Sequence, residues 1–361
     1  MRMGLPAGES TCPYLAIARA EARGSLVHWV CQVVGLLRGA AAATSWGMSD
    51  ADIGQLCALL TAVTWASSMV LFKRSGETIP PLALNAFKNV VGLTLLIVTL
   101  FVAGPPVAEL RGHTGKEVLI LLLSGFIGIA VADTLFFYSL NQIGVGLQSI
   151  VDCLYSPLVI LFAWLMLQEE LTASHYIGAA FVLSGVAIST RHQLPPDRTR
   201  RQLVKGILVG GCAMALMAGA IVMAKPVLSG VEVAGQPKSE GFPLIWATML
   251  RMIAGTLPLL GWGWLTRRRA LVAAFRPSAA WKFALPASVL GAYVSMILWI
   301  AGFKYAQAGK AAVLNQTSSI IAILLAAIFL KEQLTRRKLL AVTLSMIGVA
   351  IVCSEQLIAG S

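Results

Sequence analysis

Ten apolar runs, each close to the length of a bilayer crossing, dominate the sequence. They cover residues 54–72, 83–103, 118–140, 146–167, 174–190, 204–227, 243–265, 283–303, 311–330 and 338–353. A spanning helix needs roughly 20 apolar residues, because lipid offers the backbone no hydrogen-bond partners and only internally bonded structure survives there. The connections are short and carry Pro, Gly or charge, as in KRSGETIPP and RHQLPPDRTRRQ, so no soluble domain fits between them. Charged residues make up 12% of the chain, about half the share of roughly 25% that coats a soluble domain. The predicted class is therefore an all-α membrane protein with ten transmembrane helices.

The net charge is +12. A nucleic-acid binder would gather its basic residues into a patch on a soluble fold. Here they sit in the segments between apolar runs, as cytoplasmic loops facing anionic lipid do, and no nucleic-acid partner is expected. Cys12, Cys31, Cys57, Cys153, Cys212 and Cys353 are scattered, and His28, His113, His175 and His192 show no metal-ligand spacing. Neither a metal nor a cofactor is expected. Residues 1–50 differ from the rest: GSLVHWVCQVVGLL has only a short apolar core between Arg23 and Arg38. This tail is expected to be disordered or weakly interfacial, or an over-long gene start ahead of Met48.

The two halves repeat one another. LQEELT at 167–172 aligns with LKEQLT at 330–335, and GVAI at 185–188 with GVAI at 348–351, both at an offset of 163. The same offset pairs Gly92 with Gly255, Gly128 with Gly291, Gly146 with Gly309, Asp152 with Asn315 and Lys88 with Arg251. Upstream, Gly54 pairs with Gly206 and Lys73 with Lys225 at an offset of 152, so the second half carries 11 extra residues around VEVAGQPKSEGFP. The repeats are residues 51–192 and 203–355, five helices each. Five is odd, so the second half enters from the opposite face, giving the two inverted five-helix repeats on which many secondary transporters are built.

These residues resemble the drug/metabolite transporter superfamily, specifically its ten-helix branch with two EamA-type repeats. The likeness rests on the repeat length, Glu169 with Leu171 and Glu332 with Leu334 after the fourth and ninth spans, G-V-x-I in the fifth and tenth, and Pro157 in YSPLVILFAWLMLQEELT. It covers residues 50–355 and implies a carrier of small solutes, with members that export amino acids or drugs. It does not fix the substrate.

Ionisable groups inside spans are costly and usually line a cavity. Lys88, Asp133 and Asp152 each lie about two turns from the same face, a shared depth of roughly 10 Å. The candidate substrate-binding residues are Lys88, Asp133, Asp152, Arg251, Asn315, Asn85, Tyr155 and Trp299. Lys88 would bind an anionic group of the substrate, and Asp133 or Asp152 its amine or a coupled proton. The competing role for the charged groups is an ion pair that only permits packing; for Asn85 it is hydrogen bonding between helices, and for the aromatics core packing. Arg251 has no carboxylate partner in its own half, since Met296 stands at the position equivalent to Asp133.

The loops after odd-numbered spans carry most of the Lys and Arg, including Arg198, Arg200, Arg201, Arg267, Arg268 and Arg269. The positive-inside rule then puts both ends of the ten-helix core outside, whereas the resemblance implies cytoplasmic termini; the orientation stays open. The expected function is secondary transport of a small organic metabolite by alternating access: an amino-acid-like or other anionic or zwitterionic solute, or a drug. Efflux is the expected direction and a bacterial inner membrane the expected location. The lipid bilayer is the second expected partner, and a homodimer is compatible with the sequence. A channel or membrane receptor without alternating access is the alternative. An enzyme is not expected, because no compact nucleophile or metal set is visible.

Overall fold

The computed structural model describes residues 49–103, 113–168, 173–190, 199–230, 241–306 and 308–358. Almost the whole expected tail, together with Glu169, Leu171 and most of the second-half insertion, lies outside the described residues. Among the described residues the secondary structure is helical throughout, with no strand. The helices are α1 (Asp50–Ser75), α2 (Pro81–Ala103), α3 (Gly115–Gly125), α4 (Asp133–Asp152), α5 (Tyr155–Leu167), α6 (Ala173–Thr190) and α7 (Arg200–Ser229). They continue as α8 (Leu244–Ala274), α9 (Trp281–Ser288), α10 (Ser295–Tyr305), α11 (Ala308–Phe329) and α12 (Arg336–Ile358). Two π-helical turns, π1 (Phe126–Ala132) and π2 (Val289–Val294), join α3 to α4 and α9 to α10.

Local sequence accounts for the boundaries. Capping boxes start α1 (Ser49 with Asp52), α3 (Thr114 with Glu117) and α7 (Thr199 with Gln202), each satisfying backbone N–H groups that the first turn leaves unpaired. Within α4 the backbone breaks at Gly144 (φ 80°), a left-handed turn that glycine adopts without a Cβ penalty. The helix resumes under a carboxylate cap from the other half: Glu332 accepts hydrogen bonds from the N–H groups of Val145 (2.9 Å) and Gly146 (3.0 Å). Pro157 lacks an N–H to continue the ladder, and the chain makes a turn at Cys153–Leu154 before α5.

Seven helical stretches among the described residues are long and apolar enough to cross a membrane. One of them, Gly115–Asp152, has 38 residues, about 57 Å if straight at 1.5 Å per residue. It exceeds one crossing and holds both the third expected run and the start of the fourth. Tyr155–Leu167 and Tyr176–Gly185 are shorter apolar helices, and the tenth run lies in α12. Large apolar side chains face outward on these helices, with Phe101 87%, Leu265 81% and Ile328 68% exposed. Such a surface needs lipid over it.

Contacts between the halves return with the halves exchanged. A Cβ added to Gly92 on α2 would meet the Ala292 carbonyl on π2 at 2.7 Å, and one added to Gly255 on α8 would meet Ile129 on π1 at 2.5 Å. Positions 129 and 292 are themselves equivalent at the 163 offset. Likewise Gly54 on α1 abuts Ala306, while Gly206 on α7 abuts Ile143, the equivalent of Ala306. Gly185 on α6 abuts the Ala341 carbonyl and Ser345 on α12, and Gly348 on α12 abuts the Gly178 carbonyl and Val182 on α6. At each of these positions the missing side chain lets two helix backbones approach closely, the usual device of membrane packing.

A further pair of contacts repeats inside each half. Lys73 at the end of α1 donates to the carbonyls of Leu140 (3.3 Å) and Asn141 (3.1 Å) near the break in α4. Lys225 near the end of α7 donates to the carbonyls of Phe303 (2.5 Å) and Ala306 (2.8 Å) at the end of α10. Phe303 is the equivalent of Leu140. Each ammonium satisfies carbonyls that a terminating helix leaves free and opposes the negative end of its dipole.

Gly185→Val and Gly348→Val both force a side chain against a facing backbone. Each is expected to lower the stability of the purified protein by about 1–3 kcal/mol, whereas Gly261→Ala, where an added Cβ meets nothing within 4 Å, is expected to leave it unchanged. Thermal unfolding in detergent checks this, and a Gly348→Val protein as stable as the unaltered one would remove the close-packing account.

Candidate functional site

The middle of the bundle holds four ionisable side chains that are almost wholly enclosed: Lys88, Asp133, Asp152 and Arg251. α2 supplies Lys88, 0% exposed, and the first turn of α4 supplies Asp133. The Lys88 ammonium donates to Asp133 Oδ2 at 2.5 Å and lies 5.6 Å from the centre of the Phe137 ring. A buried charge is tolerated when paired, and removing one member of such a pair costs about 3–5 kcal/mol. Asn85, one turn before Lys88, donates to the Ile129 carbonyl within π1 and to Thr134 Oγ1, both at 2.9 Å. It also accepts from Asn89 at 2.9 Å. This network ties α2 to the turn that carries Asp133.

The second half contributes Arg251 from α8, 1% exposed. Its Nη1 donates to Ser124 Oγ on α3, its guanidinium lies 5.6 Å from the centre of the Trp299 ring on α10, and its Nε has no hydrogen-bond partner. Asp133 attracts it electrostatically but forms no ion pair with it within 4 Å. Tyr155 Oη on α5 is buried beside Trp299 and Arg251.

Lys88, Asp133, Arg251 and Trp299 line one cavity of about 60 Å³, with Trp65, Met217 and Met296 among its apolar walls. Gly128 of π1 and Gly291 of π2, equivalent at the 163 offset, line it as well. A π turn carries one more residue than the α turn it replaces and so re-aims the side chains that follow; such turns recur at functional sites. The volume suits a few water molecules and falls well short of the 300 Å³ or more that encloses a drug-sized ligand.

Not every candidate reaches the cavity. Asp152, expected at the depth of Lys88, does not line the cavity: its Oδ1 accepts from Gln148 at 2.7 Å, and its backbone carbonyl accepts from Gln316 of α11 at 2.9 Å. Counting residues along a helix gives depth but not direction, and the break at Gly144 resets the helical phase between Asp133 and Asp152. Asn315, on α11, does not line the cavity either, and its Oδ1 is buried without a partner. The structure therefore brings Lys88, Asp133, Arg251 and Trp299 together with Asn85 and Tyr155 beside them, and sets Asp152 and Asn315 apart. Ser124, which receives Arg251, has no ionisable or repeat signal in the sequence. The π turns have one, in the Gly128–Gly291 pair. Among the described residues no group of three or more His, Cys, Asp or Glu side chains converges on a point.

The profile of the EamA-like transporter family matches residues 52–191 and 204–354. Three proteins of Bacillus subtilis (strain 168), each described as an uncharacterized transporter, are similar to the chain. YoaV is 29% identical over 39% of this chain, which spans only 48% of YoaV. YwfM is 21% identical over 83% of this chain and 94% of its own length, and YvbV 26% over 80% and 88%. A solved crystal structure of a protein superposes with a TM-score of 0.61 at 16% identity, covering 85% of this chain and 99% of that one, a likeness of fold alone. With these bacterial transporter relatives and several membrane-spanning helices, the chain is an integral protein of the inner membrane. The two matched segments take in most of its length, and the chain belongs to the EamA-like transporter family.

Proposed function

We propose that the chain is a secondary transporter whose ten helices form two inverted five-helix repeats, residues 51–192 and 203–355. It would move a small organic metabolite, either an anionic or zwitterionic solute or a drug, by alternating access and outward. The exchanged glycine contacts support the architecture, because a two-fold axis relating the halves returns every contact with its partners swapped. With five spans per half, such an axis lies in the membrane plane. One fold then supplies two conformations of opposite access.

The observation that carries the function is the Lys88–Asp133–Arg251 cavity, built from residues of both halves. A small charged chamber at the seam between two rocking units suits a carrier site that widens as the bundle opens towards one face. Stored charge at that point is expensive, and its use in binding a solute accounts for it.

Asp152 is our candidate for a coupled proton. Its carboxyl group has an amide donor in Gln148 and no cation within 4 Å among the described residues. Cys153 is the titratable group beside it, and the Lys225 and Lys338 ammonium groups are engaged elsewhere. Unlike Asp133, Asp152 is not held by a lysine. A homodimer is compatible with this reading and not required by it.

Three outcomes are expected in proteoliposomes. Lys88→Ala should reduce solute flux to background, and Lys88→Met combined with Asp133→Asn should restore the stability lost on breaking the pair but not the flux. Thermal unfolding and flux measured on the same samples check both; wild-type flux in Lys88→Ala would dismiss the cavity as the solute site. Asp152→Asn should retain solute counterflow while losing accumulation driven by a pH gradient. Accumulation that persists in that variant would exclude Asp152 as the proton carrier.

A further inference from the structure

The charges around the cavity do not balance. Two cations, Lys88 and Arg251, face a single carboxylate, Asp133, among the lining residues. Asp133 is committed to Lys88 at 2.5 Å, and Arg251 has no ion-pair partner within 4 Å among the described residues. Asp152 lies off the cavity and contacts neither cation. The guanidinium has five N–H donors, of which Nη1 serves Ser124 while Nε is unpartnered in a fully buried position. The buried Tyr155 hydroxyl lies beside it. Gly128 lies against the guanidinium at the cavity wall, where a Cβ would stand 3.6 Å from Arg251 Nη2.

We propose that the transported solute is an organic carboxylate with an apolar, preferably aromatic body, and that Arg251 is the residue that selects it. The planar fork of the guanidinium matches a carboxylate through two parallel hydrogen bonds, and Nε of this cavity-lining arginine has no partner of its own. Trp65, Trp299, Met217 and Met296 offer the rest of the molecule flat and polarisable walls. A cationic solute would meet a net positive chamber. The ammonium of a zwitterion would find Asp133 already bound. This inference rests on the cavity being the solute site and narrows the substrates to one charge class.

The test uses three probes with the same ring and different charge: benzoate, benzylamine and 4-(aminomethyl)benzoate. Each is titrated into the purified full-length protein in lipid nanodiscs, with tryptophan fluorescence and thermal shift as readouts. Benzoate is expected to quench fluorescence and raise the melting temperature, at least tenfold more tightly than either of the others. Arg251→Gln, confirmed as folded by its own melting curve, should abolish the benzoate response, and Arg251→Lys should retain part of it. Benzylamine binding as tightly as benzoate, benzoate binding unchanged in Arg251→Gln, or no response to any probe into the millimolar range would each overturn the proposal. Thr61→Cys in a cysteine-free background separates this inference from the reading beneath it, since Thr61 lines the same cavity. Labelling of that thiol from both membrane faces without anion preference sinks only the choice of carboxylate. Anion binding with labelling from neither face sinks alternating access and leaves the anion site standing.

Discussion

A charge cannot be left bare in hydrocarbon, and the bundle is arranged around that constraint. Lys88, Asp133 and Arg251 lie at the centre of a bilayer-spanning assembly, where each must be wrapped by protein on every side. Neither half can do this alone. Lys88 and Asp133 come from the first, and the wall that closes over them comes from α7, α8 and α10 of the second. The aromatic faces of Phe137 and Trp299, each 5.6 Å from a cation, add quadrupoles to that wrapping. The close glycine contacts between halves are the means to that end, because helices held apart by side chains would leave the centre open.

Much of this was legible in the residues. Apolar runs of bilayer length gave the helices, and the 163-residue offset gave the pairing of Gly92 with Gly255 and of Gly185 with Gly348, whose packing the structure displays. Lys88 and Asp133 stood out because ionisable residues are rare within such runs. What sequence counting could not supply was rotation about the helix axis. Residue counting puts Asp152 level with Lys88, yet its carboxylate pairs with Gln148 off the cavity, and Gly144 interrupts the helix between it and Asp133. The π turns also escaped notice, since a helix with one extra residue per turn has the same hydrophobic pattern over so short a stretch. Ser124 was invisible for a simpler reason: an isolated serine in a membrane helix gives no hint of the arginine it will meet.

The two halves share a scaffold and differ in chemistry. The π turns fall at matching positions, and each contributes a glycine to the cavity wall. Between them the equivalent positions carry Lys88 and Arg251, but Asp133 and Met296. Duplication kept the backbone device and let the charges drift apart, so the centre is electrostatically lopsided inside a geometrically even frame.

The lysines at the ends of α1 and α7 give that evenness a mechanical meaning. Lys73 and Lys225 bolt their own halves together through the same carbonyl position, Leu140 and its counterpart Phe303. Under the inverted arrangement proposed above, the two bolts would sit at opposite mouths of the pathway, and fastenings of like kind at either mouth would favour neither opening by themselves. On that proposal a preference for one direction would be sought in the lopsided centre, where the charges could be exchanged with both bolts left intact.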